Sequence, residues 1–232
     1  VYTYCNAGFD IVGRAIENVL GQTFESAMKA RVFAPLGLER TTYFASEAIR
    51  HSVAVGHEAG GEDGQIVADP WPIPRRSNPA GGVTSNAPEL IRFAVMHLRD
   101  GAIGEQRVMS LANAQEMRRS LGPTDYGNER GLTWVVREIG ELTVVEHGGA
   151  TNGFMARLFV IPQRQYAIVV LTNGDRGSSL YNVVTARAIE DRFGAKVAAR
   201  VRVTLPEAGL ARFTGTYSHK LADSMISVDA NG

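Results

Sequence analysis

Residues 142–172 read LTVVEHGGATNGFMARLFVIPQRQYAIVVLT. Three β-prone runs, Leu142 to Glu146, Phe154 to Ile161 and Tyr166 to Thr172, are separated by a glycine-rich turn and by Pro162-Gln163-Arg164-Gln165. Short apolar runs punctuated in this way predict successive antiparallel strands. Leu132 to Arg137 adds a fourth strand upstream, across a Gly-Glu turn. Asn173-Gly174-Asp175 closes the meander, and Leu180, Val183, Val184 and Ala188 recur at helical spacing, predicting a last amphipathic helix to about Phe193.

Upstream of the meander the pattern turns helical. Ile11, Val12, Ala15, Ile16, Val19 and Leu20 form an apolar stripe with Asp10, Arg14, Glu17 and Asn18 opposite, and Gly21 is a stop. Thr23 caps a second helix through Phe24, Met28 and Val32, which Pro35 and Gly37 end. From about Phe44 to Val83 glycines and prolines accumulate, as in Gly60-Gly61 and Pro70-Trp71-Pro72-Ile73-Pro74, predicting a long irregular excursion with one short strand at Ser52 to Val55. Excursions of that length commonly serve a site. Asn86 and Glu89 form a cap signature ahead of Leu90, Ile91, Ala94, Val95 and Leu98, a third helix ending at Gly101; Ser110 to Ser120 gives a fourth. Helices, then a meander, then a helix describe an α+β domain whose antiparallel sheet is covered by helices. After Gly194 the composition shifts, so 195–204 reads as a linker and 205–232 as the start of a small β module that stops too early to close a core.

The chain has 232 residues, 44% of them hydrophobic, long enough to bury a sizeable core. Its 24 basic and 24 acidic side chains cancel, which leaves no overall field to attract nucleic acid or an anionic membrane. No apolar run approaches the roughly 20 residues of a membrane-spanning helix. Cys5 is the only cysteine, which excludes an internal disulfide framework and a cysteine-rich metal site. Val1 opens directly into ordered-looking sequence without a signal-peptide pattern, and the chain reads as cut from something longer.

Three short elements could carry chemistry: Tyr4-Cys5-Asn6 ahead of a helix, Pro79-Ala80-Gly81-Gly82 ahead of the capped helix, and His147-Gly148-Gly149-Ala150 between two strands. Singly each has a plain reading; the glycine pair fits a tight turn and His147 a half-buried strand residue. His51 and His57 stand six apart in an irregular segment without a third ligand close by, which argues against a metal site there; no organic cofactor is expected either. Trp71 and Trp134 read as packing anchors, with Trp71 placed to reach a site rim; Glu17, Glu89 and Glu190 read as solvated.

Taken in order, Tyr-x-Asn before Ala-Gly-Phe and a helix, Pro-Leu-Gly-Leu, Pro-Ala-Gly-Gly, Gly-Leu-x-Trp, His-Gly-Gly and Gly-Phe resemble the β-lactamase-related serine hydrolases. These include class C β-lactamases, D-alanyl-D-alanine carboxypeptidases, D-aminopeptidases and β-lactamase-fold esterases. The likeness covers about residues 2 to 193 and implies an incomplete β-lactamase/transpeptidase-like domain in 1–194. It implies hydrolysis of an amide, lactam or ester carbonyl through an acyl-enzyme, with a small molecule or peptide as substrate. Residue by residue, Tyr4 becomes the phenol that helps deprotonate the serine and later protonates the leaving group, which calls for a pKa below the usual 10 or so. Asn6 holds the substrate carbonyl or amide and the catalytic lysine. His147 stands where many relatives have lysine and orients substrate; Gly148 and Gly149 admit it to the strand edge; the Ala150 N–H is an oxyanion donor.

The family's Ser-x-x-Lys element belongs well before Tyr4, which only three residues precede, so the expectation is a nucleophile supplied from outside these residues. Ser26-Ala27-Met28-Lys29 fits the letters but follows Tyr4, and reads instead as Lys29 paired with Glu25 on a solvated face. Phe213-Thr214-Gly215-Thr216-Tyr217 resembles the opening of a lipocalin-like barrel, expected to be poorly ordered or sticky in isolation. The same resemblance favours a periplasmic or secreted location, with the cytoplasm open. The competing readings are a non-catalytic member that binds peptides or cell-wall fragments in the same groove, and a scaffold that polymerises through strand edges.

Overall fold

The computed structural model describes residues 4–60, 64–69, 71, 73–124, 128–197, 206–218 and 223–227. The chain divides into two compact units, Val1–Val197 and Ala198–Gly232. The principal helices of the first are α1 (Asn6–Leu20), α2 (Phe24–Met28), α3 (Ala87–Leu98), α4 (Leu111–Arg118) and α5 (Gly177–Phe193). Its labelled strands are β1 (His57–Ala59), β2 (Gln65–Val67), β3 (Glu129–Arg130), β4 (Val135–Ile139), β5 (Leu142–Thr151), β6 (Phe154–Ile161) and β7 (Tyr166–Thr172).

Strands β3 to β7 form one antiparallel sheet in sequence order, as the meander predicts. Alternation divides its side chains between two cores. On one face Val144, Phe159, Ile161 and Ile168 pack against Ile189 of α5; on the other Val145, Leu158 and Val160 pack with Trp134 against Ala94 and Leu98 of α3. The sheet is thus covered by a helix on each side, and each fully buried Val, Ile or Phe contributes roughly 1.5–3 kcal/mol. A separate cluster of Phe24, Phe33, Leu36, Leu38, Tyr43 and Met96 joins α2 to α3.

Helix starts follow the expected chemistry. Thr23 Oγ1 accepts from the Ser26 N–H at 3.3 Å, and Asn86 Oδ1 accepts from the Glu89 N–H at 3.0 Å. The second helix does not stay regular: Lys29–Phe33 widens into a π-helical turn before Gly37 takes a left-handed conformation with φ 64°.

Several expectations need correction. The short strand at Ser52 to Val55 is absent; the excursion instead forms the β1–β2 hairpin, because the His57 N–H finds the carbonyls of Asn173 (3.0 Å) and Gly153 (3.4 Å) at the sheet end. The first large strand starts at Val135, not Leu132, since the Gly131 N–H donates to Trp134 O at 2.8 Å and holds a turn there. Much of the apolar stripe of α1 is open: Ile11, Val12 and Val19 are exposed, while the inward side is marked by Gly13, where a Cβ would overlap the Pro79 ring. Glu25 and Glu89 are buried, not solvated. Glu25 takes Arg75 and Asn78 as partners, leaving Lys29 to pair with Glu47 at 3.6 Å; Glu89 accepts from the Arg40 N–H and Thr41 Oγ1. Glu17 is half-buried and accepts from the Phe24 N–H at 3.0 Å, and Glu190 pairs with Lys196 at 3.7 Å.

In the second unit a short helix, Glu207–Leu210, leads to a hairpin of β8 (Gly215–Ser218) and β9 (Asp223–Ile226), and Tyr217 Oη donates to Phe213 O at 2.8 Å. Most of the expected linker and much of the expected module, at 198–205, 219–222 and 228–232, lie outside the described residues.

Candidate functional site

Tyr4 lies just ahead of α1 with about half its surface exposed, and Asn6 is the first residue of that helix. Cys5 between them is extended at φ −144°, ψ 103°, so the chain enters the helix through Tyr-x-Asn. The close approach at Gly13 seats α1 on the turn Asn78–Gly81, which brings the first two motifs together. A buried clamp supports that junction: Glu25 accepts from Arg75 Nε at 2.9 Å, Arg75 Nη2 at 3.1 Å and Asn78 Nδ2 at 2.8 Å. The Arg75 guanidinium holds the Glu25 carboxyl well below the usual carboxylate range, at about 2. On its other side Arg75 faces the Phe44 ring at 5.4 Å.

The third motif belongs to the sheet. His147, Gly148, Gly149 and Ala150 pair in register with Leu158, Arg157, Ala156 and Met155 of β6. The partner β4 stops at Val135, opposite Glu146. From His147 to Ala150, β5 therefore has a strand on one side and, among the described residues, none on the other. Alternation puts His147 and Gly149 on the α3 face and Gly148 and Ala150 on the α5 face. Burial holds the half-buried His147 ring below the ordinary imidazole pKa, helped by the charges of Arg130 and Arg157 and opposed by the Gly148 backbone and Glu146. His147 is therefore neutral near pH 7.

Among the described residues no hydrogen bond or ion pair joins Tyr4 or Asn6 to His147–Ala150; the excursion spans between them. Its front half docks at the far end of β5–β6 and β7: the His57 N–H reaches Gly153 O and Asn173 O, Asn173 Nδ2 donates to Val55 O at 2.9 Å, and the Ala59 N–H donates to Asp175 Oδ2 at 2.7 Å. Its back half is the Asn78–Gly81 turn against α1. His57 is thus a docking residue, and His51 lines a cleft of about 450 Å³ with Lys29, Arg40 and Glu47, none of them a candidate. Among the described residues no group of three or more His, Cys, Asp or Glu could hold a metal ion. Trp134 is buried in the α3-side core as its packing role requires, whereas Trp71 is partly exposed on the excursion.

A model of the family described as Beta-lactamase matches residues 1–191. The chain belongs to the beta-lactamase family. Family members are serine hydrolases, and the fold is the β-lactamase/transpeptidase-like one that the motifs imply. The chain is 33% identical over 193 residues to penicillin-binding protein 4 of Amycolatopsis lactamdurans, covering 78% of this chain and 49% of the relative. It is 27% identical over 179 residues to a D-aminopeptidase of Cereibacter sphaeroides, covering 74% of this chain and 32% of that enzyme. The octameric penicillin-binding protein homologue of Pyrococcus abyssi superposes with a TM-score of 0.68 at 22% identity, over 79% of this chain and 43% of its own. The chain thus spans about half the length of the first curated relative and about a third of the second. No helix among the described residues is long and apolar enough to cross a membrane.

Sequence reasoning missed the charged residues beneath this β-lactamase-family strand. Glu146 is 2% exposed and is bound by Arg157 Nη2 at 2.7 Å and Arg137 Nη2 at 3.3 Å. The available signal was a glutamate and an arginine standing inside two apolar strand runs, where a charge needs a partner.

Proposed function

We propose that this chain provides two walls of a serine acyl-hydrolase site: Tyr4 and Asn6 at the start of α1, and the free edge of β5 from His147 to Ala150. The nucleophile in this reading is the serine of a Ser-x-x-Lys element outside these 232 residues. The observation that carries it is the edge itself. Among the described residues this stretch is paired on one side only, and with two consecutive glycines it lets an extended acyl group lie alongside and exchange backbone hydrogen bonds, as an added strand does.

In the mechanism, Tyr4 takes the serine proton as the hydroxyl attacks the carbonyl and returns one to the departing amine or alkoxide. Water then attacks the acyl-enzyme by the reverse sequence. Asn6 orients the substrate amide, and the Ala150 N–H stabilises the oxyanion, a contribution of roughly 3 kcal/mol for one such donor. A neutral His147 binds substrate by hydrogen bonding and lends no fixed charge at pH 7. The substrate is an acyl compound of the amide, lactam or ester class, in keeping with relatives named as a penicillin-binding protein and D-aminopeptidases.

The test compares this chain with the protein that includes whatever coding sequence precedes Val1, using a chromogenic cephalosporin, a D-amino acid p-nitroanilide and a p-nitrophenyl ester. The expected result is turnover, and labelling by a fluorophosphonate, only in the longer protein, with Tyr4→Phe lowering kcat by about a hundredfold or more. Turnover by the 232-residue chain that disappears in Ser26→Ala would refute the assignment.

A further inference from the structure

Glu146 is the last residue of β5 with strands on both sides, and its carboxylate lies on the α5 face of the sheet. There it collects one arginine from each neighbour: Arg157 of β6 at 2.7 Å and Arg137 of β4, whose Nε stands 3.2 Å away. Arg157 also occupies the space beneath Gly148, its register partner. A Cβ built on Gly148 would stand 3.0 Å from Arg157 Nη1, so a side chain there would press on the guanidinium. Below, the same guanidinium meets the rings of Phe159 at 5.2 Å and Tyr181 of α5 at 5.4 Å. Three strands and a helix are thereby tied at the point where β5 loses its second partner.

We propose that Arg157, anchored on Glu146 and backed by Tyr181, is a positioning residue: a strut under Gly148 that fixes the free edge of β5 from His147 to Ala150 for substrate. The catalytic part of this statement rests on the reading of that edge given above; the strut itself rests on geometry alone. A strand tethered on one side frays more readily than one held on both, because half its backbone groups exchange hydrogen bonds with water. A guanidinium fixed from below by a carboxylate and an aromatic ring removes that freedom without placing a side chain on the substrate face. The charges felt at the His147 ring are those of Arg130 from β3 and, through the sheet from its α5 face, Arg157 of β6 and Glu146 of its own strand, so the strut also sets part of the field at that ring.

The experiment uses the 232-residue chain carrying Arg157→Met, Arg157→Lys or Tyr181→Leu, followed by amide hydrogen exchange and by NMR titration of His147. In Arg157→Met, amides between Gly148 and Thr151 should exchange about tenfold faster or more, with those of Phe159 to Ile161 unchanged. His147 should titrate at higher pH, since one of two nearby cations is gone. Arg157→Lys should keep the titration close to wild type and lose the protection, which separates the charge from the strut. Exchange that is unaltered, or that rises evenly through β5 and β6, would overturn the strut; if Arg157→Met does not fold, the lysine and Tyr181→Leu variants decide on the same criterion. In the longer, active protein Arg157→Met should lower kcat about tenfold with KM little changed, as expected for lost alignment. Selective exchange without any loss of kcat would leave the strut standing and remove its role toward substrate.

Discussion

Lowering the pH from 7 to 4 titrates one residue that the fold holds in a place unsuited to charge. His97 of α3 is fully buried, its ring 4.7 Å from Phe93 and 5.1 Å from Trp134, and neither ring nitrogen has a hydrogen-bond partner among the described residues. Burial, with the Arg118 charge nearby, pushes its pKa down to about 4. In the unfolded chain the imidazole titrates near 6.5, so between those values the unfolded state binds the extra proton and stability falls as pH falls. The contribution is complete above about pH 6.5, is reduced by about 2 kcal/mol at pH 5, and by about 3 kcal/mol at pH 4. Against total stabilities of roughly 5–15 kcal/mol that is a large fraction. Urea unfolding followed by the emission of Trp134, in a Trp71→Phe background, should show the midpoint dropping through this window at constant slope. His97→Leu should remove most of the fall in this window, leaving the smaller part that the half-buried His147 contributes, and should leave acid loss below pH 4.5 in place. Glu25 contributes the largest share of the latter: its lowered pKa of about 2 gives stability that is present above about pH 4.5 and lost as pH falls toward 2, with Glu17 and Glu116 acting in the same direction. Parallel loss in wild type and His97→Leu between pH 6.5 and 4.5 would refute the assignment.

Glu25→Gln should cost about 2 kcal/mol, because Arg75 is left without its carboxylate while its exposed side can still reach water; a shifted urea midpoint measures it. Gly13→Ala sets a helix-propensity gain of about 1 kcal/mol against forced separation of α1 from the Pro79 ring, typically 1–3 kcal/mol, so net destabilisation is expected in the same assay. Phe159→Ala should cost roughly 3–5 kcal/mol, since the ring is fully buried between the sheet and α5 and is faced by both Arg137 and Arg157; an unchanged melting temperature would contradict that packing.

The meander was legible because a residue run such as Phe154 to Ile161 combines β-branched and aromatic content with turn signals at both ends, and such local features decide strand existence. Caps were legible for the same reason: Thr23 and Asn86 act within three residues of themselves. Contacts made across long sequence separations were not. Apolar spacing located α1 but not which part of its stripe is covered: Ile16 packs inward while Ile11, Val12 and Val19 stay open, since periodicity reports where apolar groups lie and not what arrives to cover them; here Pro79 arrives against Gly13. Glu25 and Glu89 looked solvated because their partners stand about 50 residues away in the chain. The candidate site was legible as motifs in a family order, whereas the arrangement beneath it was not, because Arg157 shares no short motif with Glu146.

That arrangement gives the two faces of one strand different tasks. On the α3 face, His147 and Gly149 present a neutral ring and an open backbone, while the residues before them, Val145 and Thr143, turn the same face into core and rim. On the α5 face, Glu146 and Gly148 place a buried carboxylate and an empty position over Arg157. Exchanging the tasks would place an uncompensated charge against Trp134 and Leu158, at a cost of several kcal/mol, and would crowd the open edge with side chains. A one-residue slip in the pairing of β5 with β6 makes that exchange at every position, so the buried ion pair resists the slip that a glycine-rich edge would otherwise invite. The doubled glycine and the charged strut are therefore two halves of one solution: the first opens the edge, and the second keeps its register.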